Sequence, residues 1–188
     1  MCDFNHSAMS TTRFFCYAAL LLLTQCSKCK DNDPSPEKQL PPATQTGANT
    51  FGCLVNGQAW TPRGNNGTSN YSVVYEQTPN ALFDLRTYRY FDTGQPDAFQ
   101  YLILFARNLR GAGVYDLADA SNTRVSLNDR LSGCYYNSQD AGTYHKGTLT
   151  ITRLDLQAGI IAGTFDFTLY LPGCDTLKVT NGRFDKKL

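Results

Sequence analysis

From Gly147 to Leu171 the chain reads GTLTITRLDLQAGIIAGTFDFTLYL. Thr148, Thr150 and Thr152 alternate with Leu149 and Ile151. Beyond Gln157-Ala158-Gly159, the residues Phe165, Phe167 and Leu169 alternate with Thr164, Asp166 and Thr168. Alternation at period two gives a strand one buried face and one wet face. Two such runs around a short Gly-containing break predict an antiparallel hairpin whose arms are long enough to cross a small β domain. This hairpin is the expected spine of the fold.

The rest of the domain reads the same way. Phe51, Cys53 and Val55 alternate up to Asn56-Gly57, a strong two-residue hairpin signal, and Ala59 and Trp60 follow it. Trp60 is the only Trp in the chain, and a core anchor is its expected role. Thr61 to Asn70 is a polar Gly/Asn loop. Tyr71 to Glu76 and Ala81 to Phe91 read as strands joined around Pro79-Asn80. Phe99 to Arg107 is apolar on both faces, as expected of a central strand. Gly111 to Leu117 reads as a turn feeding a short strand, and Gly133 to Asn137 as a short strand around Cys134, whereas Asp119 to Asp129 shows no clear period. Pro172-Gly173 leads into Asp175 to Thr180, and Asn181-Gly182 reads as a second hairpin turn into Arg183 to Asp185. Gly, Thr, Asn and Tyr outweigh the helix-surface formers, which favours strands and turns. The expected fold is all-β: an antiparallel β-sandwich or flattened barrel of about nine to eleven strands over residues 51–188.

The N-terminus carries an address. Arg13 precedes ten apolar residues, Phe14 to Leu23, and then Thr24, Gln25 and Cys26. That is the layout of a secretory signal over residues 1–25, and ten residues fall short of the roughly 20 that span a bilayer. Leu23-Thr24-Gln25-Cys26 resembles the lipobox of bacterial lipoproteins, with Gln25 standing where Gly, Ala or Ser is usual. The resemblance implies acyl chains on Cys26, and more than one chain is needed for stable anchoring. Translation starts at Met1 or Met9; Asp3 is an acidic residue that a signal does not need. Residues 26–50 are expected to be the lipidated Cys followed by a tether. Ser27 to Thr50 has almost no apolar residue to bury, so it is expected to remain a flexible coil reaching about 25–30 Å. Lys28 to Asp33, with Asp31 and Asp33, is similar to the acidic export signal of Bacteroidetes-type surface lipoproteins. This favours display at the cell surface over a periplasm-facing orientation.

The motifs FGCLVNGQAWTP, GTLTITRLD, IIAGTF and NGRFD, taken in order, resemble a family of Bacteroidetes-type secreted lipoproteins with a single β domain of unknown function. The resemblance covers about Phe51 to Asp185. It implies the fold and the envelope address and brings no activity, cofactor or catalytic residue with it.

Beyond Cys26 the chain holds Cys29, Cys53, Cys134 and Cys174. Outside the cytoplasm thiols tend to pair. Cys134 with Cys174 is the preferred bridge, since each sits beside a Gly at an element end flanking the spine; Cys53 with Cys174 is the alternative. With no short Cys-x-x-Cys pair inside the domain, zinc is not expected. His145, in the loop TYHKG, is the one His after the leader, and an exposed loop residue is the simpler reading than a general base.

Asp84, Asp155 and Asp166 lie on or near strands and are the candidates for a two-carboxylate glycan hydrolase, although outward-facing strand Asp residues account for them equally. Arg86, Tyr88 and Tyr90 share one face of a strand, and with Arg89 they are a candidate platform for sugar rings or a partner protein. Ordinary cross-strand pairing of aromatics is the competing account. A net charge of +1 argues against a nucleic-acid partner. The expected function is a binding or scaffold domain without chemistry or cofactor, held to the membrane through acyl chains on Cys26. The alternative is a surface glycan hydrolase using paired Asp residues.

Overall fold

β9 (Tyr144–Asp155) and β10 (Ile160–Tyr170) form the hairpin that the alternation predicts. Leu149, Ile151, Phe165, Phe167 and Leu169 are buried, whereas Thr148, Thr152 and Thr164 are exposed. The computed structural model describes residues 34–188 apart from 78, 93, 95 and 96. The leader, the lipobox Cys26 and Cys29 lie outside the described residues.

The other strands are β1 (Thr50–Val55), β2 (Gln58–Trp60), β3 (Tyr71–Glu76), β4 (Leu82–Tyr90), β5 (Phe99–Ala106), β6 (Gly113–Asp116), β7 (Thr123–Asp129), β8 (Cys134–Asn137) and β11 (Leu177–Lys187). Sheet A has six strands in the order β2-β1-β11-β10-β9-β6, and sheet B has five in the order β3-β4-β5-β7-β8. Every strand pairing within the two sheets is antiparallel. The apolar faces of the two sheets meet in one cluster running from Phe51 and Cys53 through Leu102 and Leu127 to Val179 and Phe184. Rings interlock between the layers, Phe51 against Tyr71 at 5.6 Å and Phe83 against Phe184 at 5.6 Å. The fold is therefore the antiparallel sandwich expected from the sequence. Among the described residues no helix is long and apolar enough to cross a membrane.

Asn56 and Gly57 both take positive φ, 49° and 81°, and join β1 to β2 as a two-residue turn. The same dipeptide at Asn181-Gly182 behaves differently, which corrects its reading as a hairpin turn. β11 continues straight through it. Between Gly182 and Val179 β11 advances three residues while β10 advances two, from Phe165 to Phe167, and β1 shows the matching offset from Gly52 to Leu54. Asn181, with φ of 51°, is the extra residue of a β-bulge.

Four further expectations change. The spacer was expected to stay free through Thr50, yet its described part, from Pro34 on, lies against the domain. Pro36–Gln39 forms a short 3-10 helix, Leu40 is buried, and Asp185 holds the run from Thr44 to Ala48 by hydrogen bonds. A segment poor in apolar residues is held here by polar contacts instead of burial. Asp119 to Asp129, which shows no period, contains β7, because Thr123, Val125 and Leu127 face the core while Ser126 is also covered. β5 is central, but Tyr101, Ile103 and Phe105 on its outer face are only half-buried, since no layer covers that side. His145 lies on β9, paired to Leu169, and not in a free loop.

Candidate functional site

The inward rows of sheet B are built by register. Leu85, Leu104 and Val125 stand side by side across β4, β5 and β7, and Thr87, Leu102 and Leu127 form the next row. One step further the row is Arg89, Gln100 and Asp129, continued by Cys134 on β8. A polar row cannot pack dry against the facing sheet, so the sandwich opens at this end. The resulting cleft holds about 710 Å³ and is walled by Trp60, Phe91, Tyr136 and Leu177.

Hydrogen bonds fix the floor of this cleft. Trp60, on β2 of sheet A, donates its indole N–H to Gln100 Oε1 of sheet B at 2.8 Å, which links the layers. Arg89 donates from Nη1 to the Ala59 carbonyl at 2.8 Å, and its guanidinium carbon lies 5.1 Å from the centre of the Phe91 ring. Its Nε is buried without a partner, and among the described residues Arg89 forms no ion pair. Burial, and after it the positive charge of Arg63, pull the Arg89 pKa below its usual value. Arg63 is itself paired with Asp92. Guanidinium, amide and carboxylate thus stand in a line beside aromatic rings. Planar donors and acceptors next to ring faces are suited to a ligand that offers both hydroxyls and an apolar face.

Cys134, the last residue of that row, is bonded to Cys174 with a Cα–Cα distance of 6.1 Å. The bridge ties the edge of sheet B to the segment between β10 and β11 of sheet A, and Tyr136 reinforces it by donating its hydroxyl to the Asp175 carbonyl at 2.7 Å. This is the preferred pairing. The alternative, Cys53 with Cys174, is overturned: Cys53 is free, fully buried in the core, and burial pushes its thiol pKa far above the usual range.

The proposed platform of Arg86, Tyr88 and Tyr90 is not an open surface. Tyr88 is only 3% exposed because the loop after β2 folds over it. Its hydroxyl donates to the Thr68 carbonyl at 2.7 Å and accepts the Asn66 N–H at 3.3 Å. Tyr90 is packed between Tyr88 and Phe99, at 5.6 and 5.5 Å. Arg86 alone is exposed, and it grips Asp84 at 2.7 Å.

Nor do the three Asp residues converge. Asp84 lies on sheet B and is taken by Arg86; Asp155 and Asp166 lie on sheet A. Asp155 is bound by Arg153 at 2.8 Å and Asp166 accepts from Thr148 at 2.9 Å. Asp155 pairs with Ile160, six positions along β10 from Asp166, so the two carboxylates stand about 20 Å apart along the strand, beyond the roughly 5–10 Å that glycoside cleavage uses. His145 is half-buried, with Nδ1 3.3 Å from the Thr143 carbonyl, and forms no ion pair among the described residues. Among the described residues no group of three His, Cys, Asp or Glu side chains is placed to hold a metal ion.

Arg89, Gln100 and Asp129 were not singled out together by the sequence. A signal existed, since Arg89 and Asp129 each follow, and Gln100 precedes, an inward Leu or Thr at the next alternate position, but it becomes visible only once the three strands are aligned. Comparison with protein-family models, with curated proteins and with solved structures finds no match to this chain.

Proposed function

We propose that the chain is an exported, lipid-anchored binding domain of the cell envelope, of the Bacteroidetes-type lipoprotein kind that its motifs resemble, and that it takes a hydroxyl-rich glycan in the end cleft without altering it. The observation that carries the binding part is the row Arg89–Gln100–Asp129 beneath Trp60, where a guanidinium with no ion pair among the described residues lines a cleft of about 710 Å³. The dispersal of Asp84, Asp155 and Asp166 speaks for binding over hydrolysis. The address rests on the leader and lipobox alone. With the chain docked from about Pro34 on, seven residues lie between it and Cys26, a length of chain that reaches at most about 28 Å when fully extended.

Binding is tested with the full chain extracted in mild detergent, on an array of neutral and acidic glycans followed by calorimetry. Retained folding with a drop of about tenfold in affinity is expected for Arg89→Met. An array that captures nothing, or an Arg89→Met chain that binds as tightly as the parent, defeats the cleft as the site. The anchor is tested separately: Cys26→Ser is expected to leave the membrane fraction, and persistence there refutes lipidation at that Cys.

A further inference from the structure

We propose a second binding site, on the outer face of sheet B, that takes the oxyanion groups of an acidic polysaccharide. It does not depend on the cleft, which lies on the inward side of the same sheet.

The site is written by strand register. Asp84, Phe105 and Arg124 are direct neighbours across β4, β5 and β7, with Arg86 two residues along β4 and Arg107 two residues beyond Phe105. Arg107 and Arg124 bring their guanidinium carbons to 5.7 and 5.6 Å from the centre of the single Phe105 ring. Both stack on one aromatic, which holds two like charges over a shared footing. Together with Arg86 they line an open pocket of about 300 Å³ whose far wall is the turn from Ala120 to Thr123.

The charge there is not balanced. Asp84 is the one carboxylate lining the pocket, and Arg86 occupies it with both Nε and Nη2. Arg107 and Arg124 form no ion pair among the described residues, and the Arg124 Nε is buried with no hydrogen-bond partner. Asp119, behind the turn, is spent on Ser121 and Asn122. Two guanidinium groups on one ring, one of them with an unpartnered Nε, call for a planar or tetrahedral oxyanion, which Arg binds in a bidentate fashion.

The polymer is identified by the surroundings. A net charge of +1 supplies no stripe for a nucleic-acid backbone, and a pocket bounded by a turn does not present its charges to a flat lipid surface. The outer face continues past Ile103 to Tyr101 and the exposed Tyr135, ring surface on which the sugar rings of the same chain can lie.

The experiment measures binding of the full chain in mild detergent to polygalacturonate, dextran sulfate and neutral dextran across a salt series. Binding to one or both polyanions, absent for dextran and weakening with salt, is expected. Which polyanion is preferred tells carboxylate from sulfate recognition. Arg107→Gln/Arg124→Gln is expected to lose about tenfold or more, while Lys146→Gln/Lys178→Gln, an equal loss of charge on sheet A, retains parental affinity. If the double Arg variant fails to fold, Arg107→Gln alone, at an exposed position, gives the same reading with a smaller loss. The proposal is overturned by no binding to either polyanion, by equal binding to dextran, by an Arg variant that binds like the parent, or by stronger binding to phosphatidylglycerol vesicles or single-stranded DNA than to both polyanions.

Discussion

Gly47 donates its backbone N–H to Asp185 Oδ1 at 2.7 Å, across 138 positions of sequence. The other oxygen of the same carboxylate takes the Thr44 hydroxyl at 2.7 Å and the backbone N–H groups of Thr46 and Ala48 at 2.8 and 3.1 Å. Asp185 is 1% exposed and is the charged member of the buried set. Burial by itself raises its pKa, but the hydrogen bonds from Thr44, Ala48, Thr46 and Gly47 outweigh it and hold the carboxyl below the usual range. A carboxyl whose folded value lies below its unfolded one, about 3.9 for Asp, adds stability at pH above that unfolded value and loses it as pH falls through the folded value. The parent is therefore expected to lose thermal stability below about pH 4 more steeply than Asp185→Asn does. Melting temperatures at pH 7, 4 and 3 check this; parallel curves for the two proteins contradict it.

The same contacts make the stretch before β1 part of the folded body. Besides Asp185, it is held by Arg153, which donates to the Gln45 carbonyl at 2.6 Å, and by Pro41, which packs against Gly52. A chain beginning at Phe51 loses every one of these donors to the Asp185 carboxylate, at a cost of about 1.5–3 kcal/mol for hydrogen bonds to a charged group beyond the lost packing of Leu40. Chemical denaturation of chains beginning at Pro34 and at Phe51 is expected to show the shorter one weaker by at least that amount, and equal midpoints would place the segment outside the fold.

Cys134 and Cys174 close a loop of 40 residues, worth about 4 kcal/mol in the chain-entropy account of cross-links. Cys134→Ala/Cys174→Ala is expected to lower unfolding free energy by close to that figure. Cys53 offers an internal contrast, because its buried thiol is held protonated by its apolar surroundings. Peptide mapping after alkylation is expected to find Cys53 unlabelled in the native protein and labelled in guanidinium, with Cys134 and Cys174 recovered as one linked pair until reduction. Native labelling at Cys53 would show that the core at β1 opens.

What could be read in advance followed from local periodicity. Leu149, Ile151, Phe165 and Phe167 declare their face within a few residues, so the sandwich and its central hairpin were legible. Position in the sheet was not. Asn56-Gly57 and Asn181-Gly182 are the same dipeptide, yet the first ends a strand at a sheet margin and the second lies in β11 with partners on both sides. Tyr88 looked available because alternation puts it outward; the covering loop from Arg63 to Asn70 is a tertiary fact no strand pattern contains. Arg89, Gln100 and Asp129 are separated by 11 and 29 positions and become one row only through β4–β5–β7 pairing.

The bulge in β11 also decides a packing question. It turns Gly182 so that a Cβ built there would stand 2.4 Å from the Phe165 ring and 2.5 Å from the Phe165 carbonyl oxygen. Phe165 is wedged between Phe51 and Phe167, at 5.5 and 6.2 Å, and has no room to retreat. Overpacking at a site closed on several sides costs about 1–3 kcal/mol, more when backbone must also shift. Gly182→Ala is accordingly expected to destabilise the domain by about 3 kcal/mol, whereas Gly57→Ala has open space around it and pays only for its positive φ. Adding Phe165→Leu to Gly182→Ala removes the ring that the new methyl strikes, so the double variant is expected to be more stable than the sum of its two single losses. Urea denaturation of the four proteins measures that coupling, and strict additivity would mean that the backbone contact, and not the ring, sets the cost.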